Sequence, residues 1–273
     1  MWSDDGRRIG SRSAAALFRA PSDFADYTDI IIDISATPRS IYFPLVGKTL
    51  HLLDQLQRSQ PSAIPNLFVL VSENPLLDSQ IREDGPDDTA DYIYPFEGGL
   101  GMEATAEYPR IWAPLLGEGQ LVQLERIYDL VGPDEISPVL PSPSLNPRRG
   151  DDLILDYHEL LFDRLRIDPR NFIYASERNP FEVYRQVRRT ILHYREALLP
   201  LGGCKAVVSA HSSKLMSVGA LLVAYELKQK RVDVGVAHVE SDGHVMSDDA
   251  QEPSHWTQSD VFGLWISGEC YES

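Results

Sequence analysis

The sequence predicts an α/β fold on a mainly parallel sheet, with helices on both faces and a loop-rich insertion in the middle. Short β-branched apolar runs such as Ile30-Ile31-Ile32 and Phe68-Val69-Leu70-Val71 read as strands buried on both faces. Amphipathic helical patterns alternate with such runs toward both ends of the chain, which is the signature of βαβ units. Residues 82–150 break the alternation with Pro, Gly and acidic residues, and predict the insertion.

Along the chain, residues 1–22 are expected to be an N-terminal arm, either flexible or a short docking helix. They carry Arg7, Arg8, Arg12 and Arg19, and their apolar stretch Ala14 to Phe18 is too short for a signal peptide. The first strand is Ile30-Ile31-Ile32-Asp33-Ile34. A helix over 40–56 follows, apolar at Ile41, Leu45, Leu50, Leu53 and Leu56, with Pro44 and Gly47 disturbing its first turns. Residues 67–71 give the next strand. The middle stretch, with Asp84-Gly85-Pro86-Asp87-Asp88 and Pro141-Ser142-Pro143, is expected to form a lid or an inserted subdomain; a linker between two domains is the second option. Helical periodicity returns at 153–165. A strand over 172–175 leads into a helix that opens at Pro180 and stops before Pro200 and Gly202-Gly203. Residues 206–208 are a strand, 212–228 a helix, and 232–239 and 261–266 the last two strands. Residues 23–273 therefore read as one Rossmann-like α/β domain. The stretches Phe68 to Pro75 and Phe172 to Pro180 echo one another, by pseudo-symmetry or by chance: each is an apolar strand, then Ser-Glu, then Asn-Pro.

The 273 residues are enough for a well-buried core. No apolar run approaches the roughly 20 residues of a membrane helix, so no membrane partner is expected. A net charge of −16 opposes direct binding of duplex nucleic acid. Arg185, Arg188, Arg189 and Arg195 lie at helical spacing and read as one solvated face. The two cysteines, Cys204 and Cys270, suggest neither a disulfide framework nor a zinc site, and a reduced, cytoplasmic setting is expected. No metal or cofactor is expected: the seven histidines are scattered, and His238 and His244 are too far apart for helical ligand spacing. The cluster Gly98-Gly99-Leu100-Gly101 allows close approach or hinge motion but follows no strand–helix pattern.

Ligands of open parallel sheets bind beyond the carboxyl ends of the strands. Four loops qualify: 33–40, 72–75, 176–180 and 209–214. Ser209, His211, Ser212, Ser213 and Lys214 form the most informative one. Its hydroxyls suit phosphate or ribose oxygens and Lys214 supplies charge, while a plain N-cap explains the serines equally well. Asp33, Ser35, Thr37 and Arg39 lie in the first loop; Arg39 can fork a phosphate or pair with a surface acid. An enzyme reading uses Glu73 and Glu177, each following a strand, as paired carboxylates of a nucleoside- or nucleotide-processing hydrolase, with His211 assisting.

The stretch Val207-Val208-Ser209-Ala210-His211-Ser212-Ser213-Lys214-Leu215-Met216-Ser217-Val218-Gly219-Ala220-Leu221-Leu222-Val223-Ala224 resembles the strand–loop–helix of CARF-type domains, Rossmann-like sensors of cyclic oligoadenylates in CRISPR-linked defence. Their loop reads Thr-Gly-Gly-Thr-Lys. Ser213 and Lys214 match its Thr-Lys pair and Met216-Ser217 the helix start, while Ala210, His211 and Ser212 depart from it. The resemblance covers about 20 residues. It implies a nucleotide-like ligand at residues 33–40 and 209–214, and a protein partner or a homodimer through which the signal passes. A non-catalytic scaffold subunit of a defence complex is a further reading.

Overall fold

A computed structural model describes residues 10–59, 64–74, 81–102, 106–246 and 259–269. The first half of the chain runs α1 (Gly10–Ala15), β1 (Asp29–Asp33), α2 (Arg39–Ser59), β2 (Asn66–Glu73), β3 (Ile81–Pro86), β4 (Asp91–Glu97), β5 (Arg110–Leu115), α3 (Leu121–Val131). Then come β6 (Glu135–Ile136), β7 (Val139–Pro141), α4 (Arg149–Asp156), β8 (Ile173–Ala175), α5 (Pro180–Ala197), β9 (Lys205–Ala210), α6 (Lys214–Gln229), β10 (Val234–His238), β11 (Ser241–Met246) and β12 (Asp260–Ser267). The fold is mixed α/β, and its sheets mix parallel and antiparallel pairs. The chain divides into two compact units, Met1–Asp84 with Gly243–Ser273, and Gly85–Asp242. One domain over 23–273 was the expectation from sequence. No helix among the described residues is long and apolar enough to cross a membrane.

The first unit holds a three-stranded sheet ordered β1-β2-β12. β1 pairs parallel with β2, and β12 antiparallel. Leu67, Val69 and Val71 alternate as the buried side of β2, the period of two that a sheet with one packed face requires. α2 buries Tyr42, Phe43, Val46, Leu50 and Leu53. It keeps Pro44 inside the helix; only the bond to the Ser40 carbonyl is forfeited, and burial of the apolar face outweighs it. α1, within the expected N-terminal arm, packs on α2; residues 1–9 lie outside the described ones.

The second unit holds the larger sheet, ordered β4-β10-β9-β5-β7-β8, with β6 pairing β5. β5, β7, β8, β9 and β10 are parallel to their neighbours among themselves, and β4 closes one edge antiparallel. Trp112, Leu140, Val207 and Ala237 pack with Leu124 and Ile127 of α3, Leu153 of α4 and Tyr157 at its C-terminal cap. The alternate residues Ile111, Ala113, Ala206 and Val208 are buried as well, so they face the other way, where α5 and α6 pack on β5 and β9. α5 begins as its sequence reads, with Pro180 at its start and the Asn179 side chain accepting from the Phe181 N–H. β3 and β11 pair with each other in a separate two-stranded sheet.

Residues 82–150, expected as an insertion, supply β4, β5, α3, β6 and β7, and β5 lies inside the sheet between β9 and β7. Pro109 and Pro114 obscure that strand, since proline cannot donate to a ladder and ordinarily argues against an inner position. The helix expected over 153–165 is α4 followed by a π-helical turn at Glu159–Arg164.

α5 and α6 approach closely at Gly219, where a Cβ would lie 2.4 Å from the Pro180 carbonyl oxygen and 2.7 Å from the Val183 Cβ. Alanine favours a helix over glycine by about 1 kcal/mol, but here overpacking reverses the sign. Gly219→Ala is expected to destabilise by about 1–3 kcal/mol, read from the urea midpoint; an unchanged or higher midpoint would show that the helices part freely.

Candidate ligand-binding site

Four helices start just after the carboxyl ends of parallel strands: α3 after β5, α4 after β7, α5 after β8 and α6 after β9. The positive ends of their helix dipoles give that edge of the second unit a positive bias. Between β5 and β9 the order of the sheet reverses: the chain steps outward through β7 and β8, then returns to the other side of β5 for β9 and β10. The loops after β5 and β9 touch at this point. A Cβ on Gly117 would fall 2.0 Å from the His211 carbonyl oxygen, so only glycine fits there. The His211 N–H donates to the Leu115 carbonyl at 3.0 Å and locks the contact.

Across the ends of β5, β7 and β8 runs an ion-pair network. Arg149, the first residue of α4, forks onto Glu118, with Nε–Oε1 at 2.7 Å and Nη2–Oε2 at 2.9 Å. Its third nitrogen, Nη1, donates to Glu177 Oε2 at 2.9 Å. Glu177 Oε1 accepts from the Leu145 N–H at 2.6 Å. The two carboxylates differ in setting: the Glu118 side chain is 58% exposed and that of Glu177 is 9%. Burial alone would lower the Arg149 pKa, but the hydrogen bonds and charge of Glu118, then of Glu177, outweigh it and hold it above the ordinary value. Burial likewise pushes the Glu118 carboxyl up, and Arg149 overcomes that to bring it below its usual range.

The Tyr157 hydroxyl donates to the Gly117 carbonyl and accepts from the Gln120 N–H at 2.9 Å, which staples the loop after β5 to α4. Burial raises the Tyr157 pKa, so the phenol stays neutral. The Gln120 side-chain oxygen is buried and has no hydrogen-bond partner among the described residues.

The expected site residues divide between the two units. Ser209, His211, Ser212, Ser213, Lys214 and Glu177 belong to the second. The Ser209 hydroxyl lies in the core and accepts from Trp112 Nε1 at 3.0 Å. Ser212 is buried and donates to the Met216 sulfur at 3.1 Å. Ser213 is the N-cap of α6, accepting from the Met216 N–H at 3.2 Å, and Lys214 is the first residue of that helix. Ser213 thus caps a helix, one of the two readings of the loop's serines, while Ser209 and Ser212 bond within the core. Asp33, Ser35, Thr37, Arg39 and Glu73 belong to the first unit. Asp33 ends β1 and accepts from the Ser35 N–H at 2.9 Å, and the Ser35 hydroxyl accepts from the Ser72 N–H at 2.9 Å. The Thr37 N–H donates to the Ile34 carbonyl at 3.0 Å, Arg39 opens α2, and Glu73 ends β2 opposite Asp260. Glu73 and Glu177 therefore stand on separate sheets.

Glu118 and Arg149 escaped the sequence reading because they belong to the stretch read as an insertion, and Tyr157, inside the helix expected over 153–165, read only as part of that helix. The apolar run Ile111 to Leu116 followed by Gly117-Glu118-Gly119 was the available signal. Each unit also has a cleft among the described residues. One, of about 320 Å³, is lined by Glu97, Gly98, Lys228, Arg231 and Asp233 near the start of β10; the other, of about 150 Å³, by Asp54, Gln57 and Ile266 in the first unit. Among the described residues no group of three or more His, Cys, Asp or Glu is placed to hold a metal ion. The sequence matches no protein-family model and no curated protein.

Arg149→Ala is expected to destabilise by about 2–3 kcal/mol because it leaves a buried carboxylate unpaired. Glu118→Gln removes an exposed pair and should change stability by less than about 1 kcal/mol. Equal losses in urea denaturation would contradict this inequality. Because the Glu118 carboxyl is depressed in the folded state, its contribution is intact above its ordinary value of 4.5 and is lost as pH falls through the lower folded value. Glu118→Gln should therefore flatten the fall of stability below pH 4.5.

Proposed function

We propose that the second unit is a nucleotide-type ligand-binding module, a Rossmann-like sensor that binds at the strand ends around the β5–β9 reversal. The observation that carries the reading is that reversal. In open α/β sheets it opens a crevice beyond the carboxyl ends of the strands, and here helix N-termini and Arg149 gather at that edge, which suits a phosphate. The stretch Val207 to Ala224 that resembles CARF-type domains spans β9, its loop and most of α6, and adds a cyclic oligoadenylate to the candidate ligands. With Ser212 and Ser213 engaged in the fold, recognition falls to loop N–H groups, Lys214 and Arg149. We take the chain as a cytoplasmic sensor or accessory subunit of a bacterial defence system that passes its signal to a protein partner or to a second copy of itself. In the hydrolase reading Glu177 would move protons, yet both its oxygens are engaged, which suits an anchor better.

A thermal-shift screen with ATP, AMP and cyclic tri-, tetra- and hexaadenylate tests the reading. A ligand at 100 times its Kd stabilises by about 2.7 kcal/mol, and Tm should rise by about 5–10 °C. Lys214→Ala should reduce that rise. No shift with any of these ligands at millimolar concentration would refute the proposal, and product formation lost in Glu177→Gln would replace it with the hydrolase.

A further inference from the structure

The Arg149 fork, the best phosphate-binding group at the strand ends, is already occupied by a carboxylate from its own chain. Both in-line N–H donors of the fork go to Glu118, in the geometry that a phosphate or carboxylate ligand would use. The two partners of Arg149 are not equivalent. Glu177 is buried, is tied to the Leu145 N–H and holds only the third nitrogen. Glu118 is mostly exposed, so it can leave for water at little expense. Its loop is built to let it go. Gly117 and Gly119 flank it, Gly119 has φ +71° with open space around it, and Gly117 carries the contact with His211. The next residue, Gln120, has a buried side-chain oxygen with no hydrogen-bond partner among the described residues.

We propose that Glu118 is a built-in competitor for the ligand: its carboxylate fills the anion position on Arg149 and is displaced outward when a phosphate group of the ligand takes the fork. Glu177 stays behind and keeps the guanidinium in place. The proposal rests on the nucleotide-binding reading above and adds its regulation. Binding thereby moves the loop 116–120, which meets the β9 loop at Gly117, so occupancy of the fork is coupled to the position of that loop.

Calorimetric titration of ATP and of cyclic tetraadenylate into wild type, Glu118→Gln and the double variant Glu118→Gln/Arg149→Lys tests this. Removing the competing pair should tighten binding about fivefold, the equivalent of an exposed ion pair of about 1 kcal/mol, and the double variant should lose the gain. In wild type, carboxyl 13C NMR should show the Glu118 pKa returning toward its ordinary value when the ligand is added, a change that a purely structural pair would not give. Binding of equal strength in wild type and Glu118→Gln, with the Glu118 titration unmoved, overturns the competitor while leaving the binding module standing. Absence of heat with all three proteins overturns both.

Discussion

The parallel ladder between β5 and β9 is the constraint on which the second unit depends. Six consecutive residue pairs hold it, from Arg110↔Lys205 to Leu115↔Ala210, between strands almost a hundred residues apart in sequence. Closing so long a loop is entropically costly, and burial on both faces of the ladder offsets it: Trp112 and Val207 on one side, Ala113 and Val208 on the other, all essentially inaccessible. The ladder extends past its last pair through the His211 N–H and Leu115 carbonyl, and this extension brings the two loops into contact. A shift of one residue would turn Trp112 away from Ser209 and strand both polar groups.

Everything at the strand ends inherits its position from that ladder. β5 and β9 bring Gly117 against His211; β7 and β8 carry Arg149 and Glu177 to the same edge. The network there is asymmetric by construction. Glu177 is buried with its oxygens shared between a guanidinium and a backbone N–H, an arrangement hard to break from one side. Glu118 reaches the same guanidinium from an exposed loop with glycines on either side. A guanidinium pinned on its inner face and loosely held on its outer face suits the displaceable pair proposed above.

Much of the fold could be read in the sequence. Strands and helices announced by β-branched runs and by 3.6-residue periodicity appear at their places, from Ile30-Ile31-Ile32 in β1 to the leucines of α6. What could not be read lay in residues 82–150. There β5 is interrupted by Pro114, and β6 and β7 are two and three residues long, too short for any periodicity to emerge. Missing β5 hid the reversal of strand order and with it Glu118 and Arg149. Division into two units was likewise hidden, because the first unit is assembled from both ends of the chain, and β12 joins β2 across almost two hundred residues. Loop positions were legible, but the bonds of their side chains were not: Ser209 meets Trp112, Ser212 the Met216 sulfur and Ser213 the Met216 N–H, and a capping hydroxyl carries the same sequence signal as a ligand-binding one.

Hydrogen–deuterium exchange with and without saturating cyclic tetraadenylate bears most directly on the central claim that the strand ends of the second unit are the binding site. Peptides covering 145–150 and 210–214 should gain protection together, with the cleft near Lys228 and Arg231 unchanged. Protection confined to that cleft, or to the first unit, would contradict the claim.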